Sequence, residues 1–307
     1  MKMQDDNAAG LPVESGREPR RPESESSLVE VDLAGLTHQG RVRPNNEDHF
    51  FIARFDRSMR TLGTNLPEGE VPPRSSETAY GMLVADGVGG AAAGEVASRT
   101  AIAELVGLAL ETPDWIMRFD EPLAAEVLKR MERRFQKIHD ILVERTESNP
   151  ALRGMGTTLT LACSLGDDLI AAHVGDSRAY LFHEGRLERL TRDQTLAQSL
   201  ADAGAIRQEE VASHATRHVL TGAIATRGAF VQVELRHVRL ADGDQVLLCT
   251  DGLTEMVQED SIARALAARG SSSDACRRLI ELALEAGGKD NVTVALGRYR
   301  IPASVSA

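Results

Sequence analysis

The chain of 307 residues has three cysteines, Cys163, Cys249 and Cys276, and no C-x-x-C pair among them. That argues against a disulfide framework or a structural zinc site. No apolar run approaches ~18 residues, and the opening MKMQDDNAAGLPVE lacks the apolar core of a signal peptide. Both absences point to a cytoplasmic protein with no membrane attachment. Basic charge is also short: 35 Lys and Arg against 46 Asp and Glu leave a formal net charge of −11. Such a chain is a poor non-specific binder of nucleic acid or anionic lipid, with only local basic patches left open. Internal repeats and β-α-β alternation are missing as well, so a doubly wound parallel sheet is not expected.

What is present is ordinary for a globular protein: 26% charged and 42% hydrophobic residues. A chain of this length can bury about three quarters of its unfolded surface, as two domains or one large one. Residues 1–28 are rich in Pro, Glu, Ser and Arg and read as a disordered tail. The stretch 56–77, containing NLPEGEVPPRSSE, reads as a long surface loop. Short β-rich runs occur at 31–37, 50–54, 80–85, 157–164, 169–174, 179–183, 231–240, 245–249 and 292–299. Helical spacing is clearest at 94–110 and at 121–147, where Leu123, Val127, Met131, Phe135, Ile138 and Leu142 recur every three or four residues. A third helix is expected over 273–285. Antiparallel sheets covered by helices fit this order.

Four segments set charged residues where β-rich runs end: RVRPNNED (41–48), VADGVGG (84–90), VGDSRAY (174–180), and CTDGL (249–253) with GGKDNVTV (287–294). Asp86 and Asp251 each follow an apolar run and precede glycine, Asp290 precedes a run, and Asp176 lies between two. Glycine beside such an aspartate lets a ligand or ion approach the main-chain carbonyl. If the carboxylates converge, each pair at 4 Å repels by ~4 kcal/mol at an effective dielectric near 20. A hard divalent cation such as Mg²⁺ or Mn²⁺ would neutralise them. The plainer alternative is that Asp-Gly pairs make turns, as Asp242-Gly243 does by its context. Arg43 suits bidentate recognition of phosphate, or it simply pairs with Glu47 at the surface.

RVRPNNED, VADGVGGAAAGEVAS, GMGTTLT, VGDSRAYLF, LLCTDGLTEMV and GGKDNVTV stand in the order and spacing of the metal-dependent protein phosphatases. Over about 31–300 the chain resembles the bacterial branch of this PPM family, type 2C. The resemblance implies an α+β fold, a four-layer α/β/β/α sandwich of two central antiparallel sheets flanked by helices. It implies one phosphatase domain over 29–302, a flap at about 192–229 and a short C-terminal tail at 303–307. Asp86 would bridge two Mn²⁺ or Mg²⁺ ions, the Gly87 carbonyl would ligate one, and Asp251 and Asp290 would complete the set. Glu47 and Asp48 would hold metal-bound waters, Arg43 would clamp the phosphate, and Asp176 with Asp251 would bind a weaker third ion. A water shared by the two ions would attack phosphorus directly, which agrees with the lack of a C-x₅-R loop. The implied substrates are Ser/Thr-phosphorylated proteins, a Ser/Thr kinase among them, met by a monomer in solution.

The match is not uniform. His38 stands where an aspartate is common, and Gln194 replaces an acid or histidine. Val88 occupies the place where eukaryotic relatives offer a histidine as acid, so no general acid can be named. The eight histidines, His214 and His218 included, read as bystanders. A catalytically silent scaffold on this fold would have lost metal ligands, whereas Asp86, Asp251 and Asp290 are all present. A phosphohydrolase acting on a small phosphoester would differ only in the flap and the 56–77 stretch.

Overall fold

The computed structural model describes residues 25–89, 92–111, 121–225 and 231–303. The expected tails at 1–24 and 304–307 lie outside the described residues. Twelve strands follow one another in these residues. The first six are β1 (Glu30–His38), β2 (His49–Arg60), β3 (Arg74–Ala85), β4 (Gly87–Val88), β5 (Gly156–Thr157) and β6 (Leu159–Leu165). Next come β7 (Asp168–Val174), β8 (Arg178–His183), β9 (Arg186–Arg189), β10 (Glu234–Arg239), β11 (Gln245–Cys249) and β12 (Val292–Arg300). They form two five-stranded sheets, β1-β12-β11-β8-β9 and β10-β7-β6-β3-β2, with β4 and β5 as a small ribbon. Every pairing is antiparallel.

The helices are α1 (Ala92–Glu111), α2 (Glu121–Ser148), α3 (Leu196–Asp202), α4 (Asp251–Thr254), α5 (Glu259–Ala267) and α6 (Ser272–Glu285). Side-chain alternation along the strands sorts them into layers. Met82 and Val84 of β3 meet Val246, Leu248 and Ala295 between the sheets. Leu83 and Ala85 face the other way, toward Ala97, Phe135, Ile138 and Leu142 of α1 and α2. Leu247 and Leu296 turn outward onto Leu253, Ile262, Leu279 and Ile280 of α4 to α6. Strands covered on both faces are apolar at nearly every position, which is why β3 and β11 read as continuous runs. The four layers expected from the sequence are present. Phe135, with no exposed surface, is the kind of core side chain whose loss costs ~3–5 kcal/mol.

Local signals end several elements. Ser271 and Asp274 form a reciprocal cap at the start of α6. Glu184 and Gly185, both at positive φ, make the two-residue turn from β8 to β9.

Three expectations need correction. The stretch 56–77 is not one loop: Asp56–Arg60 pairs with Arg74–Thr78 as the outer part of the β2–β3 hairpin, leaving 61–73 as its turn. That part of the hairpin lies largely beyond the core, so its charged sequence conceals a strand. Residues 25–28 form a 3₁₀ turn instead of tail, and Leu28 packs against the inter-sheet core beside buried Val29. The short β9, α3, α4 and α5 were not anticipated. Among the described residues, no helix is long and apolar enough to cross a membrane.

Candidate metal centre

The strand registers bring the four singled-out segments to one rim of the sandwich. His49 lies opposite Ala85 and Leu159 opposite Val174 in one sheet. His38 lies opposite Val292 and Cys249 opposite Arg178 in the other. Asp86, Asp176, Asp251 and Asp290 therefore leave their strands at the same end, and Asp48 joins them from the β1–β2 connection.

Each is held by its neighbours. The Asp86 amide donates to Thr158 Oγ1 at 3.0 Å, and its carbonyl accepts from Thr158 N at 2.9 Å and Thr157 Oγ1 at 2.8 Å. Thr250 Oγ1 donates to Asp48 Oδ2 at 2.8 Å. Asn291 joins two elements: its Oδ1 accepts from Glu47 N at 2.8 Å, and its Nδ2 donates to the carbonyls of Gln39 and Asn45. The Glu47 carboxylate lies against Gly94 of α1 and accepts from Asn45 Nδ2 at 3.2 Å. A Cβ on Gly87 would run into the Gly94 carbonyl, and one on Gly252 into the Asn291 carbonyl. Glycine is thus needed at both positions for main chains to cross closely.

Arg43 pairs with Asp290, Nη2 to Oδ2 at 2.5 Å, and not with Glu47. His38, exposed, accepts a hydrogen bond from Gly40 N through Nδ1 at 2.9 Å, a local turn contact.

The carboxylates converge electrostatically. Burial raises the Asp86 carboxyl well above the usual range, and the charges of Asp48, Asp251, Asp176 and Asp290 push it further. Burial likewise raises Asp176, with Asp251 and Asp193 adding to it. Asp251 is raised by burial, then by Glu255 and Asp290. Asp48 is raised by burial against the pull of its threonine hydrogen bonds. Asp48 Oδ1 and Asp251 Oδ1 are buried with no hydrogen-bond partner. Buried, unpartnered carboxylate oxygens among like charges fit a hard divalent cation, and the donors here are all oxygen.

Beneath Asp176 lies a buried ion cluster absent from the sequence reading. Arg178 donates to Asp193 through Nε at 3.1 Å and Nη2 at 2.8 Å, and Arg189 grips the same carboxylate. Asp193 opens the segment expected as a flap. The next residue, Gln194, closes that segment's two ends: its amide donates to Gly175 O at 2.7 Å, and its carbonyl accepts from Thr221 N at 2.8 Å. Its side chain accepts from Gly175 N and donates to Gln232 O. Between those ends, His218 reaches back to Glu255, Nδ1 to Oε1 at 2.5 Å. One ligand atom each from His218, Asp251 and Glu255 lies within 4.8 Å of the others. No local spacing signals the meeting of His218 with Glu255.

An α/β/β/α sandwich with aspartates clustered at one rim suits a divalent cation. Residues 74–285 match the family model described as protein phosphatase 2C, and the chain belongs to that family. It is 36% identical over 261 residues to the serine/threonine protein phosphatase PstP of Mycobacterium tuberculosis, covering 85% of this chain and 43% of that protein. It is 35% identical over 260 residues to the serine/threonine phosphatase stp of Listeria welshimeri, covering 85% of this chain and 92% of the relative. The chain thus spans under half of the mycobacterial relative and nearly all of the listerial one. The PstP catalytic domain in complex with two manganese ions superimposes with a TM-score of 0.68 at 32% identity, over 89% of this chain and 99% of that one. Stp1 from Staphylococcus aureus superimposes with a TM-score of 0.71 at 28% identity, over 92% and 99%.

Proposed function

We propose that this chain is a phosphatase of phosphoserine and phosphothreonine in proteins, dependent on two Mn²⁺ or Mg²⁺ ions. The observation that carries the reading is the gathering of Asp48, Asp86, Asp176, Asp251 and Asp290 at one rim, where the buried Asp48 Oδ1 and Asp251 Oδ1 have no partner. Asp86, the Gly87 carbonyl, Asp251 and Asp290 would hold the ions, and Asp176 with Asp251 would hold a weaker third. Divalent ions bound there would supply Lewis acidity and lower the pKa of a bound water.

The remaining work falls to the chain. Asp48, fixed by Thr250, and Glu47, fixed through Asn291 and Asn45, orient water at the rim. The Arg43 guanidinium, 54% exposed, holds Asp290 with one nitrogen and keeps other donors for phosphoryl oxygens. Val88 offers no proton to the departing Ser or Thr oxygen.

The catalytic domain takes in the 3₁₀ turn at 25–28 and runs to 302, and 192–229 acts as the flap. Its substrates are phosphoproteins, a Ser/Thr kinase among them, met in the cytoplasm by a monomer. The relatives' names support the phosphoprotein substrates.

The test is hydrolysis of p-nitrophenyl phosphate and of a phosphothreonine peptide after EDTA stripping, beside Asp251→Asn. Activity should return with Mn²⁺ or Mg²⁺ in the parent and not in the variant, with the peptide preferred. A folded parent inactive with every divalent ion would overturn the reading.

A further inference from the structure

We propose that His139 is a positioning residue for the rim: its Nδ1 holds the return limb of the flap against the ribbon that carries Asp86 and Gly87. The inference rests on the phosphatase reading through those two residues, and part of its test needs no metal.

Three observations carry it. His139 of α2 is buried, on the same helical face that carries Phe135, Ile138 and Leu142 into the core. There its Nδ1 accepts from Ala225 N at 3.2 Å. That bond requires the neutral ring with its proton on Nε2. Burial lowers the His139 pKa against the pull of Asp140, which favours the neutral form. Second, Ala225 stands at φ 75°. A residue with a Cβ stays in that left-handed region only where its surroundings hold it.

Third, the limb is continuous with the rim. Ile224 N donates to Thr157 O at 2.9 Å, and Thr157 N donates to Ile224 O at 3.1 Å. Thr157 lies opposite Gly87 in the β4–β5 ribbon, and its Oγ1 donates to the Asp86 carbonyl at 2.8 Å. Ile224 thus backs the ribbon as a third strand, and the residue after it is tied to α2. Losing the His139 acceptor would leave a buried N–H without a partner and free Ala225 from its φ. The shift would pass through Ile224 and Thr157 to the main chain of Asp86 and Gly87. Apolar packing does not call for a histidine here, since a leucine would fill the core but accept nothing.

The test compares the full chain with His139→Asn, His139→Gln and His139→Leu. Asparagine sets its Oδ1 where Nδ1 stands, glutamine carries the same amide one methylene too far, and leucine keeps bulk without an acceptor. In EDTA, amide exchange at Thr157, Ile224 and Ala225 should be as slow in His139→Asn as in the parent. It should be roughly tenfold faster in His139→Gln and His139→Leu, the worth of about one buried hydrogen bond. With Mn²⁺ restored, those two variants should bind the ion more weakly. Their kcat should fall on p-nitrophenyl phosphate and a phosphothreonine peptide alike, with KM unchanged, and His139→Asn should match the parent. A side chain that only fills the core would give the reverse order, leucine near the parent and asparagine impaired. That order, or equal exchange in all four proteins, would overturn the proposal. If His139→Leu does not fold, the contrast between asparagine and glutamine decides alone. A parent inactive with every divalent ion, yet showing the expected exchange contrast, would overturn the phosphatase reading and leave the tie from His139 to the ribbon standing.

Discussion

Thr250 Oγ1 donates to Asp48 Oδ2 at 2.8 Å and accepts from Thr293 N at 3.0 Å, joining three segments that lie far apart in the chain. One hydroxyl at the end of β11 thereby fixes a carboxylate whose other oxygen has no partner. Thr250→Val keeps the shape and takes from Asp48 Oδ2 the hydroxyl that fixes it. Urea unfolding in EDTA should show a loss of about 1–3 kcal/mol. A midpoint and slope equal to the parent's would count against this role.

Arg43 makes the second prediction. Arg43→Ala should lower kcat/KM for a phosphothreonine peptide by roughly 10- to 150-fold, the worth of a charge-assisted hydrogen bond of about 1.5–3 kcal/mol. Arg43→Lys should recover only part of it, because an ammonium lacks the planar fork. Full recovery with lysine would reduce the clamp to a point charge.

The third concerns metal removal and pH. The carboxyls of Asp86, Asp176, Asp48 and Asp251 are raised in the metal-free fold, so the folded chain binds more protons than the unfolded one. Their stabilising contribution is complete below the unfolded value of about 4 and is lost as pH rises through the raised values. A divalent ion competes with those protons and relieves the repulsion. Saturating Mn²⁺ should therefore raise the melting temperature more at pH 8 than at pH 5. An equal rise at both would refute the clustered-carboxylate account.

His173 supplies the fourth, with the opposite sign. It is fully buried, its Nδ1 lying 2.8 Å from Thr160 Oγ1 and its Nε2 2.9 Å from Gly175 O, and burial lowers its pKa to about 4. Protonation then favours the unfolded chain, so stability falls as pH drops from about 6.5 toward 4, by about 3 kcal/mol at the lower limit. His173→Gln should flatten that part of the profile. The difference between the two proteins' unfolding free energies at pH 4.5 and pH 7 isolates the effect from the carboxylates.

The core and the aspartates of the rim were legible because local pattern encodes them. Strands buried on both faces give continuous apolar runs, α2 gives its three- and four-residue spacing, and Asp-Gly at strand ends marks the rim. Pairings across long separations were not legible. Nothing near Arg43 announces Asp290 as its partner, 247 residues away, in place of Glu47 four residues on. The outer β2–β3 hairpin was missed because strands that leave the core need no apolar residues to pair. His218 was missed because its meeting with Glu255 depends on the whole path of the flap.

The rim draws its acidic groups from both halves of the sandwich. Asp86 ends a strand of one sheet, Asp251 and Asp290 bound strands of the other, and Asp176 sits where the chain crosses between them. Cations held there would act as a clasp on one edge of a folder. The opposite edge has its own fastening, a hydroxyl contact of 3.0 Å from Tyr299 on β12 to Ser164 on β6. Chelation should therefore unbuckle the molecule from one side only. Amide exchange would quicken first around 85–87 and 249–252, while the edge near Ser164 and Tyr299 stays shut.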